Sequence, residues 1–318
     1  MTDPTVVQLR AFAAVARHRH FGAAADDLSV TQPAVSAAVA SLEAGLGAKL
    51  FERTPRGVIL TALGEQLLPL AHHALAALND LVADASRFGQ AHHGPLRLGV
   101  IPTVAPYLLP TILEAFGTRF PALVPEVTEA MTGTLLAALE SGTLDLLVMA
   151  LPGGKADTVE LPLYWEEFVL LVHDEHRLAA ARGLPTTTLQ GLDVLLLEEG
   201  HCMRDQTIDV CRQAGAAVGQ AVKMASLTTV SQLVAARLGV TLLPASAVPI
   251  EVRGPLSTAH FGGSPLPGRH VGMVRRRSSA RAGEYAELAE ALREAITSAG
   301  LPVVIERAEV TAERGLVA

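Results

Sequence analysis

Two cysteines carry the most distinctive chemistry in this sequence. Cys202 follows Glu199-Gly200-His201, where a strand-like apolar run ends, and the pattern from Arg204 onward predicts a helix. Cys202 therefore falls at or just before a helix N-terminus, where the helix dipole and free N–H groups stabilise a thiolate. His201 and Arg204 add positive potential nearby. This arrangement predicts a nucleophilic thiol that an oxidant can convert to sulfenic acid.

The second cysteine, Cys211, lies nine residues further along the chain. A helix rises about 1.5 Å per residue, so the two backbones would be roughly 13 Å apart, whereas a disulfide needs Cα atoms within about 7 Å. Bonding the two thiols would require the helix to unwind, which describes a two-state element, reduced and helical or oxidised and remodelled. The alternative is that the two cysteines are small apolar residues that never meet, and the spacing alone leaves it open.

Histidine pairs are the other candidate ligands. They lack convergent acidic or cysteine partners, so the sequence predicts no metal site and no cofactor. The pairs are His72 with His73, His92 with His93, and His173 with His176.

The composition of the chain excludes several classes of protein. The length of 318 residues suggests two domains. Because half of the residues are apolar, the chain is not expected to be mainly disordered. A net charge of −7 argues against a general polyanion binder but allows a local basic face. Two cysteines are no disulfide scaffold, so a reducing cytosol is expected. We find no apolar run of membrane-spanning length and no signal peptide, which predicts a cytoplasmic protein without a membrane partner.

The first 90 residues predict three short helices and a hairpin. Helical spacing begins at Leu9, a second helix covers 22–28, and a turn at 29–33 leads to a third. Thr31 can cap the third helix, and Pro33 fits its first turn. Two helices joined by such a turn place a helix N-terminus in the DNA major groove. The sequence therefore predicts a helix-turn-helix from about Phe21 to Ala40.

The candidate DNA contacts are the small polar residues of this helix-turn-helix and the arginines of the hairpin. Gln can bond bidentately to adenine, Ser and Thr are less selective, and Arg reaches phosphate or the minor groove. Residues 1–90 carry seven Lys and Arg against eight Asp and Glu. Charge therefore does not support DNA binding, and periodicity alone leaves it undecided. The candidates are Ser29, Thr31, Gln32, Pro33, Ser36, Arg53 and Arg56.

A helix over 65–88 carries apolar residues at spacings of three and four, which predicts a short coiled-coil seam and a dimer. The alternative is a helix packed on its own domain. The seam comprises Leu68, Ala71, Leu75, Leu78, Val82 and Ala85.

After a linker at 90–95, strand and helix patterns alternate, which predicts a parallel sheet with crossover helices. About 220 residues favour two small α/β lobes with a cleft. The expected strands include 96–101, 124–130, 144–150, 169–173, 194–198, 240–243 and 270–274.

The amino-acid sequence of the N-terminal segment resembles that of the LysR-type transcriptional regulators. The resemblance rests on FGAAA at 21–25, LSVTQPAVS at 28–36, LEAGLG at 42–47, LFERT at 50–54 and LTALG at 60–64. It implies a mixed fold: an α-rich winged helix-turn-helix at 1–64, a dimerising linker helix at 65–90, and a two-lobed α/β periplasmic-binding-protein-like regulatory domain at 91–300. A C-terminal tail is expected at 301–318. The implied partners are double-stranded promoter DNA, RNA polymerase and further copies of the chain, with a dimer of dimers expected.

The regulatory region is similar to the hydrogen-peroxide-sensing branch of that family. The similarity rests on EGHCMRDQ at 199–206 with Cys211, IPTVAPYLLP at 101–110, EAMT at 129–132, LESGTLD at 139–145, TLLP at 241–244 and RHVG at 269–272. It implies that Cys202 is the peroxidatic thiol and Cys211 the resolving one. It also implies a peroxide pocket and a thiol reductant such as a glutaredoxin or thioredoxin. The pocket residues would be Thr103, Thr132, His201, Arg204 and Arg269.

Some residues depart from the family pattern or support other roles. Arg237-Leu238 stands where a small turn is usual, 275–277 is unusually basic, and the chain differs after Leu301. Thr103 and Thr132 could be ordinary capping residues, and Arg269 could be a solvated surface residue. Two alternative functions are a LysR regulator of a small organic ligand and a thiol peroxidase. An enzyme would not need the N-terminal module, so no enzymatic activity is expected.

Overall fold

The computed structural model describes residues 2–54, 57–86, 92–154, 157–216 and 224–306. The chain forms two compact units, one of residues 1–88 with 137–144 and one of residues 89–136 with 145–318. Among the described residues, no helix has both the length and the apolar character needed to cross a membrane.

Three helices open the first unit: α1 (Val6–His18), α2 (Phe21–Asp27) and α3 (Gln32–Leu46). A capping box starts α1, because Thr5 Oγ1 accepts the N–H of Gln8 and Gln8 Oε1 accepts the N–H of Thr5. Thr31 is the N-cap residue of α3, but its side chain makes no capping hydrogen bond. That detail of the prediction is wrong, because Pro33 and the tight turn already fix the start of the helix.

Helix α3 ends at Leu46, beyond the approximate limit of the predicted helix-turn-helix at Ala40. Val35, Val39 and Leu42, which the helical spacing places on one face, are buried in the core of the first unit. Gly47 then ends the helix in the left-handed conformation, with a φ of +71°.

The predicted hairpin consists of β1 (Phe51–Thr54) and β2 (Gly57–Leu60), with Phe51 opposite Leu60. The ring of Phe51 meets Phe12 edge-on at a centroid distance of 5.5 Å and Phe21 at 6.2 Å. Aromatic pairs of this kind add about 0.5–1.5 kcal/mol beyond the burial of their area. Phe51 therefore packs the hairpin against the helices, and the N–H of Val58 adds a hydrogen bond to the carbonyl oxygen of Arg19 at 3.2 Å.

Helix α4 (Ala62–Ser86) follows and contains Pro69 near its start. The predicted seam is only partly available to a partner helix. Ala71 is buried in the core of the first unit and Leu75 is also buried, whereas Leu78 and Val82 are exposed. The side chain of Ala85 lies outside the described residues. Leu70 and Leu81 are also exposed apolar residues of this helix, and the predicted seam did not include them.

The chain continues with three parallel strands and their crossover helices. They are β3 (Gly94–Val100), α5 (Ala105–Arg119), β4 (Leu123–Glu129), α6 (Thr132–Glu140) and β5 (Leu146–Leu151). β3 pairs in parallel with both β4 and β5. Every residue of β5 is buried, as expected for a central strand of a covered sheet.

The sheet is mixed beyond this point, which corrects the prediction of a parallel sheet. The 16-residue β6 (Thr158–His173) and β9 (Gly268–Arg276) run antiparallel to each other, and β9 runs antiparallel to β5. α10 (Ala282–Ser298) follows β9. The segment 301–306 was expected to belong to the tail, but β10 (Val304–Ile305) pairs with β6.

β6 is shared by two groups of strands. Its first part pairs with β9, and its last residues pair with β7 (Thr241–Pro244) and β8 (Leu256–Ala259). α7 (Cys202–Gln213), α8 (Leu227–Ala235) and the short α9 (Val248–Glu251) complete this part of the chain. The expected strand at 194–198 is absent from the described structure, because only Val194 forms a bridge, to Val240.

Candidate functional site

Helix α7 begins at Cys202, with His201 as its N-cap residue. The thiol of Cys202 is free and half-buried. Cys202 therefore occupies the positive end of the helix dipole, where the N–H of Arg204 donates to the carbonyl oxygen of His201 at 3.0 Å. Gly200 turns the chain into the helix with a φ of +98°, a conformation that glycine adopts without the steric cost of a Cβ.

Cys211 lies in the same helix and is fully buried, and its thiol is also free. Burial raises the pKa of the Cys211 thiol. Nine residues of helix correspond to about two and a half turns, so the two cysteines lie on opposite faces and roughly 13 Å apart along the axis. The structure is therefore the reduced arrangement that the sequence described, with the thiols held apart.

Arg269 is the buried centre of the polar site. Its Nε donates to Glu166 Oε1 at 2.8 Å, its Nη1 to Thr103 Oγ1 at 3.0 Å, and its Nη2 to the carbonyl oxygen of Thr103 at 3.0 Å. Glu166 and Arg269 are directly opposite on β6 and β9, which places the two side chains on the same face of the sheet. Arg269 is only 2% exposed, so it is not a solvated surface residue.

Arg269 interacts electrostatically with Cys202. Burial by itself lowers the pKa of Arg269, but the electrostatic effects of Glu166, Cys202 and Tyr164 outweigh it and raise that pKa. Arg269 thus combines hydrogen bonds to Thr103, 166 residues away in the sequence, with an electrostatic interaction with Cys202.

His201 is 2% exposed, and burial lowers the pKa of its imidazole despite the opposing effects of Glu198 and the backbone of Ala225. The ring is therefore neutral at pH 7, and it does not supply the positive charge expected from the sequence. Arg204 donates from Nη1 to the carbonyl oxygen of Leu197 at 3.0 Å. Its guanidinium thus ties α7 to the preceding segment.

Thr132 is the first residue of α6 and is half-buried. The described hydrogen bonds do not join it to Thr103, Arg269 or Cys202. The neighbouring residue Met131 lies close to Gly200, two residues before Cys202. A Cβ atom built on Gly200 would be 3.6 Å from Met131 Cγ. The turn that carries Thr132 is therefore adjacent to the start of α7.

Two buried carboxylates near this site were missed from the sequence. Glu166 is fully buried. Glu251 accepts hydrogen bonds from Tyr107 Oη at 2.8 Å and Thr228 Oγ1 at 2.9 Å. Burial, followed by the hydrogen bond to Glu251, raises the pKa of Tyr107 well above its usual range. A charged pair at 166–167 inside an apolar strand was the only sequence signal, and it did not identify a partner.

The candidate DNA contacts form an exposed group at the start of α3. Ser29 takes a left-handed backbone conformation in the turn, and Thr31, Gln32 and Pro33 are exposed. Ser36 is half-buried one turn further along. The side chain of Arg53 and the whole of Arg56 lie outside the described residues.

Glu43 of α3 was also missed, and it joins that helix to the hairpin. Its Oε1 accepts the N–H groups of Leu50 at 2.9 Å and Phe51 at 3.3 Å, and its Oε2 accepts from Lys49 Nζ at 2.6 Å. Burial by itself raises the pKa of Glu43, but these hydrogen bonds outweigh burial and lower it. Glu43 lies beyond Ala40, in the part of α3 that the predicted helix-turn-helix leaves out.

Among the described residues, the histidine pairs of the sequence take no part in the hydrogen bonds of the polar site around Arg269. Within the described residues, no three His, Cys, Asp or Glu side chains are grouped closely enough to hold a metal ion. His173 instead accepts the N–H of Glu175 at its Nδ1, and His176 accepts the N–H of Leu178.

Two family models match most of the chain. The model of bacterial regulatory helix-turn-helix proteins of the lysR family matches residues 6–65, and that of the LysR substrate binding domain matches residues 89–297. The chain therefore belongs to the LysR family of bacterial regulatory proteins.

The similar proteins within this family are OxyR-type regulators. A probable hydrogen peroxide-inducible genes activator of Streptomyces viridosporus is 50% identical over 96% of this chain and 98% of its own length. The DNA-binding transcriptional dual regulator OxyR of Escherichia coli is 41% identical over 88% of this chain and 92% of its own length.

Two solved structures show the same similarity. A full-length OxyR variant from Pseudomonas aeruginosa matches with a TM-score of 0.70 and 32% identity, covering 92% of this chain and 96% of its own. A hydrogen-peroxide-bound OxyR mutant from Corynebacterium glutamicum matches with a TM-score of 0.65 and 41% identity, covering 94% of each chain. The predicted winged helix-turn-helix followed by a two-lobed regulatory domain is the architecture of this group.

Proposed function

We propose that this protein is a transcriptional regulator that senses hydrogen peroxide through Cys202 and transmits the signal by forming a disulfide with Cys211. The observation that carries the proposal is the position of Cys202 at the start of α7, within the field of the buried Arg269 that binds Thr103. Its relatives include proteins named as hydrogen peroxide-inducible genes activators, which supports the same chemistry.

The first step is attack of the Cys202 thiolate on one oxygen of hydrogen peroxide. The O–O bond breaks, an S–O bond forms, and the other oxygen leaves as hydroxide, which takes a proton to become water. Cys202 is oxidised to sulfenic acid and peroxide is reduced. Arg269 stabilises the thiolate, and hydrogen-bond donors at the site stabilise negative charge on the leaving oxygen.

The remaining pocket residues have positioning roles in this proposal. Thr103 and Thr132 hold the peroxide oxygens through their hydroxyl groups. The neutral His201 closes the site at the N-cap position, and Arg204 holds the segment before α7 against the helix.

The second step is attack of the Cys211 sulfur on the sulfenic acid of Cys202. An S–S bond forms and the sulfenic oxygen leaves as water, with one proton from the Cys211 thiol. Since the helix holds these thiols roughly 13 Å apart, α7 must unwind for this step. A thiol reductant such as a glutaredoxin or thioredoxin then restores both thiols.

The output is a change in contacts with promoter DNA. Ser29, Thr31, Gln32, Pro33 and Ser36 approach the major groove from the start of α3, and Arg53 and Arg56 reach phosphate or the minor groove. The helices and the hairpin before α4 form the winged helix-turn-helix, and α4 (Ala62–Ser86) is the linker helix. The regulatory domain occupies 91–300, and the tail begins after the paired residues Val304 and Ile305.

The protein acts in the cytoplasm as a dimer of dimers and contacts RNA polymerase at the promoter. It is a regulator, not a thiol peroxidase, because each disulfide is a signal and not a turnover intermediate.

Thiol mapping tests this function. Trypsin cleaves at Arg204 and so separates the cysteines into peptides 183–204 and 205–212. One equivalent of hydrogen peroxide should join these two peptides with loss of two hydrogen atoms and should shift the promoter footprint. Free thiols in both peptides at peroxide concentrations that alter transcription would contradict the proposal. An unchanged response in Cys202→Ser would instead support a regulator of an organic ligand.

A further inference from the structure

Glu166 is a fully buried carboxylate with both oxygens in hydrogen bonds. Oε1 accepts from Arg269 Nε at 2.8 Å, and Oε2 accepts the backbone N–H of Ser246 at 3.0 Å. Glu166 stands on β6 close to the point where that strand changes partners from β9 to β7. The carboxylate therefore joins Arg269 to the short 3-10 turn Ala245–Ala247, on a different part of the chain.

We propose that Glu166 is the residue that positions Arg269 for the reaction of Cys202 with peroxide. This inference rests on the proposed function. Glu166 touches neither the sulfur nor the peroxide, and it acts through the orientation of the guanidinium plane.

The donor geometry of arginine explains why orientation matters. A guanidinium has five N–H groups fixed in one plane. The bonds to Glu166 and Thr103 use one N–H on each of the three nitrogens. These three bonds fix the plane from both sides, so the second N–H on each terminal nitrogen has a set direction. In this proposal, those two N–H groups donate to the Cys202 thiolate and to the leaving peroxide oxygen.

A neutral amide cannot replace this carboxylate. Glutamine at 166 has one acceptor oxygen, which satisfies either Arg269 Nε or the Ser246 N–H, and its NH₂ group then faces the other donor. Arg269 would lose its fixed orientation while its charge remained. Displacement of a reacting or stabilising group by about 1 Å can lower a rate about 100-fold.

Two rates measured on the full-length protein test the proposal. The first is the oxidation of Cys202 by hydrogen peroxide, and the second is its alkylation by iodoacetamide, a small reagent that needs the thiolate but no aligned donors for a leaving oxygen. Oxidation is read from the loss of the free, unmodified peptide 183–204, and alkylation from the mass that the reagent adds to that peptide. Glu166→Gln should lower the ratio of the peroxide rate to the alkylation rate by about 10- to 100-fold.

Glu167→Gln is the matched control, because Glu167 is the adjacent carboxylate and pairs instead with Nδ1 of His260 at 2.9 Å. Its ratio should equal that of the wild type. If Glu166→Gln does not fold, Glu166→Asp, one methylene shorter, takes its place with the same expected decrease.

An unchanged ratio, or an equal decrease of both rates, would overturn the role of Glu166. Failure of the wild-type Cys202 to react with peroxide would instead overturn the proposed function itself, so the two failures are distinguishable.

Discussion

Oxidation by hydrogen peroxide should unravel helix α7. The helix covers 12 residues from Cys202 to Gln213, and its ends place the two cysteines roughly 13 Å apart on opposite faces. A disulfide allows at most about 7 Å between the Cα atoms, so bending the helix is not enough. The backbone hydrogen bonds of the helical residues from Cys202 to Cys211 must break. Cys211 must also leave the core in which it is fully buried.

The size of this change follows from the helix length. A helix of 12 residues contains roughly eight internal N–H bonds. At about 0.5 kcal/mol net for each bond, their loss costs about 4 kcal/mol. For a two-electron couple this corresponds to a disulfide about 90 mV easier to reduce than one formed without unwinding.

Hydrogen–deuterium exchange measures the unwinding directly. Roughly eight amides of segment 202–213 should lose protection in the peroxide-treated protein, while β3 and β5 keep theirs. Cys211→Ser is the control, because it stops at the sulfenic acid and should keep the helix. A cross-link between peptides 183–204 and 205–212 together with full protection of 202–213 would refute the reasoning.

Three further predictions concern stability and assembly. Hydrogen bonds lower the pKa of Glu43, so its stabilisation is present above about pH 4.5 and is lost as the pH falls through the lowered value. Glu43→Gln should therefore cost about 1–3 kcal/mol in urea unfolding at pH 7, and its curve should converge with the wild type below pH 4.5; a constant difference would contradict this. Burial lowers the pKa of His201 below 6.5, so the unfolded chain binds the proton first as the pH falls. Stability should then decline below about pH 6.5 by at most about 1.4 kcal/mol per pH unit, and thermal unfolding of His201→Asn should lack this component. Leu81 is 65% exposed on α4. Leu81→Glu should weaken the dimer roughly 10-fold or more in sedimentation, whereas the control Gln66→Glu, at an exposed polar position of the same helix, should not.

Local signals predicted the elements that carry the reactive groups. Thr31 and Pro33 located the start of α3, and the change of pattern after Gly200 predicted a helix from Arg204, two residues after the observed start of α7 at Cys202. These predictions succeeded because capping, turns and helix periodicity depend on residues a few positions apart. The strand expected at 194–198 failed for the opposite reason, since an apolar run forms a strand only where a partner continues beside it.

The coiled-coil seam predicted for α4 was likewise limited by the absence of information about neighbouring elements. Spacing identified an apolar helix, but it did not show that Ala71 faces the core of its own unit while Leu70 and Leu81 remain exposed. An amphipathic pattern gives the width of an apolar face, and the neighbouring elements decide which part of it is covered.

The sequence by itself determined the chemistry of this protein: a thiol at a helix N-terminus, a second thiol nine residues away, and motifs that mark a LysR-family regulator. Only the tertiary structure decided what surrounds that thiol. Pairing of β6 with β9 brings Glu166 opposite Arg269, and the turn before α5 brings Thr103 to the same guanidinium. Such contacts join residues more than 100 positions apart, so strand pairing and packing decide them, and no local pattern records them.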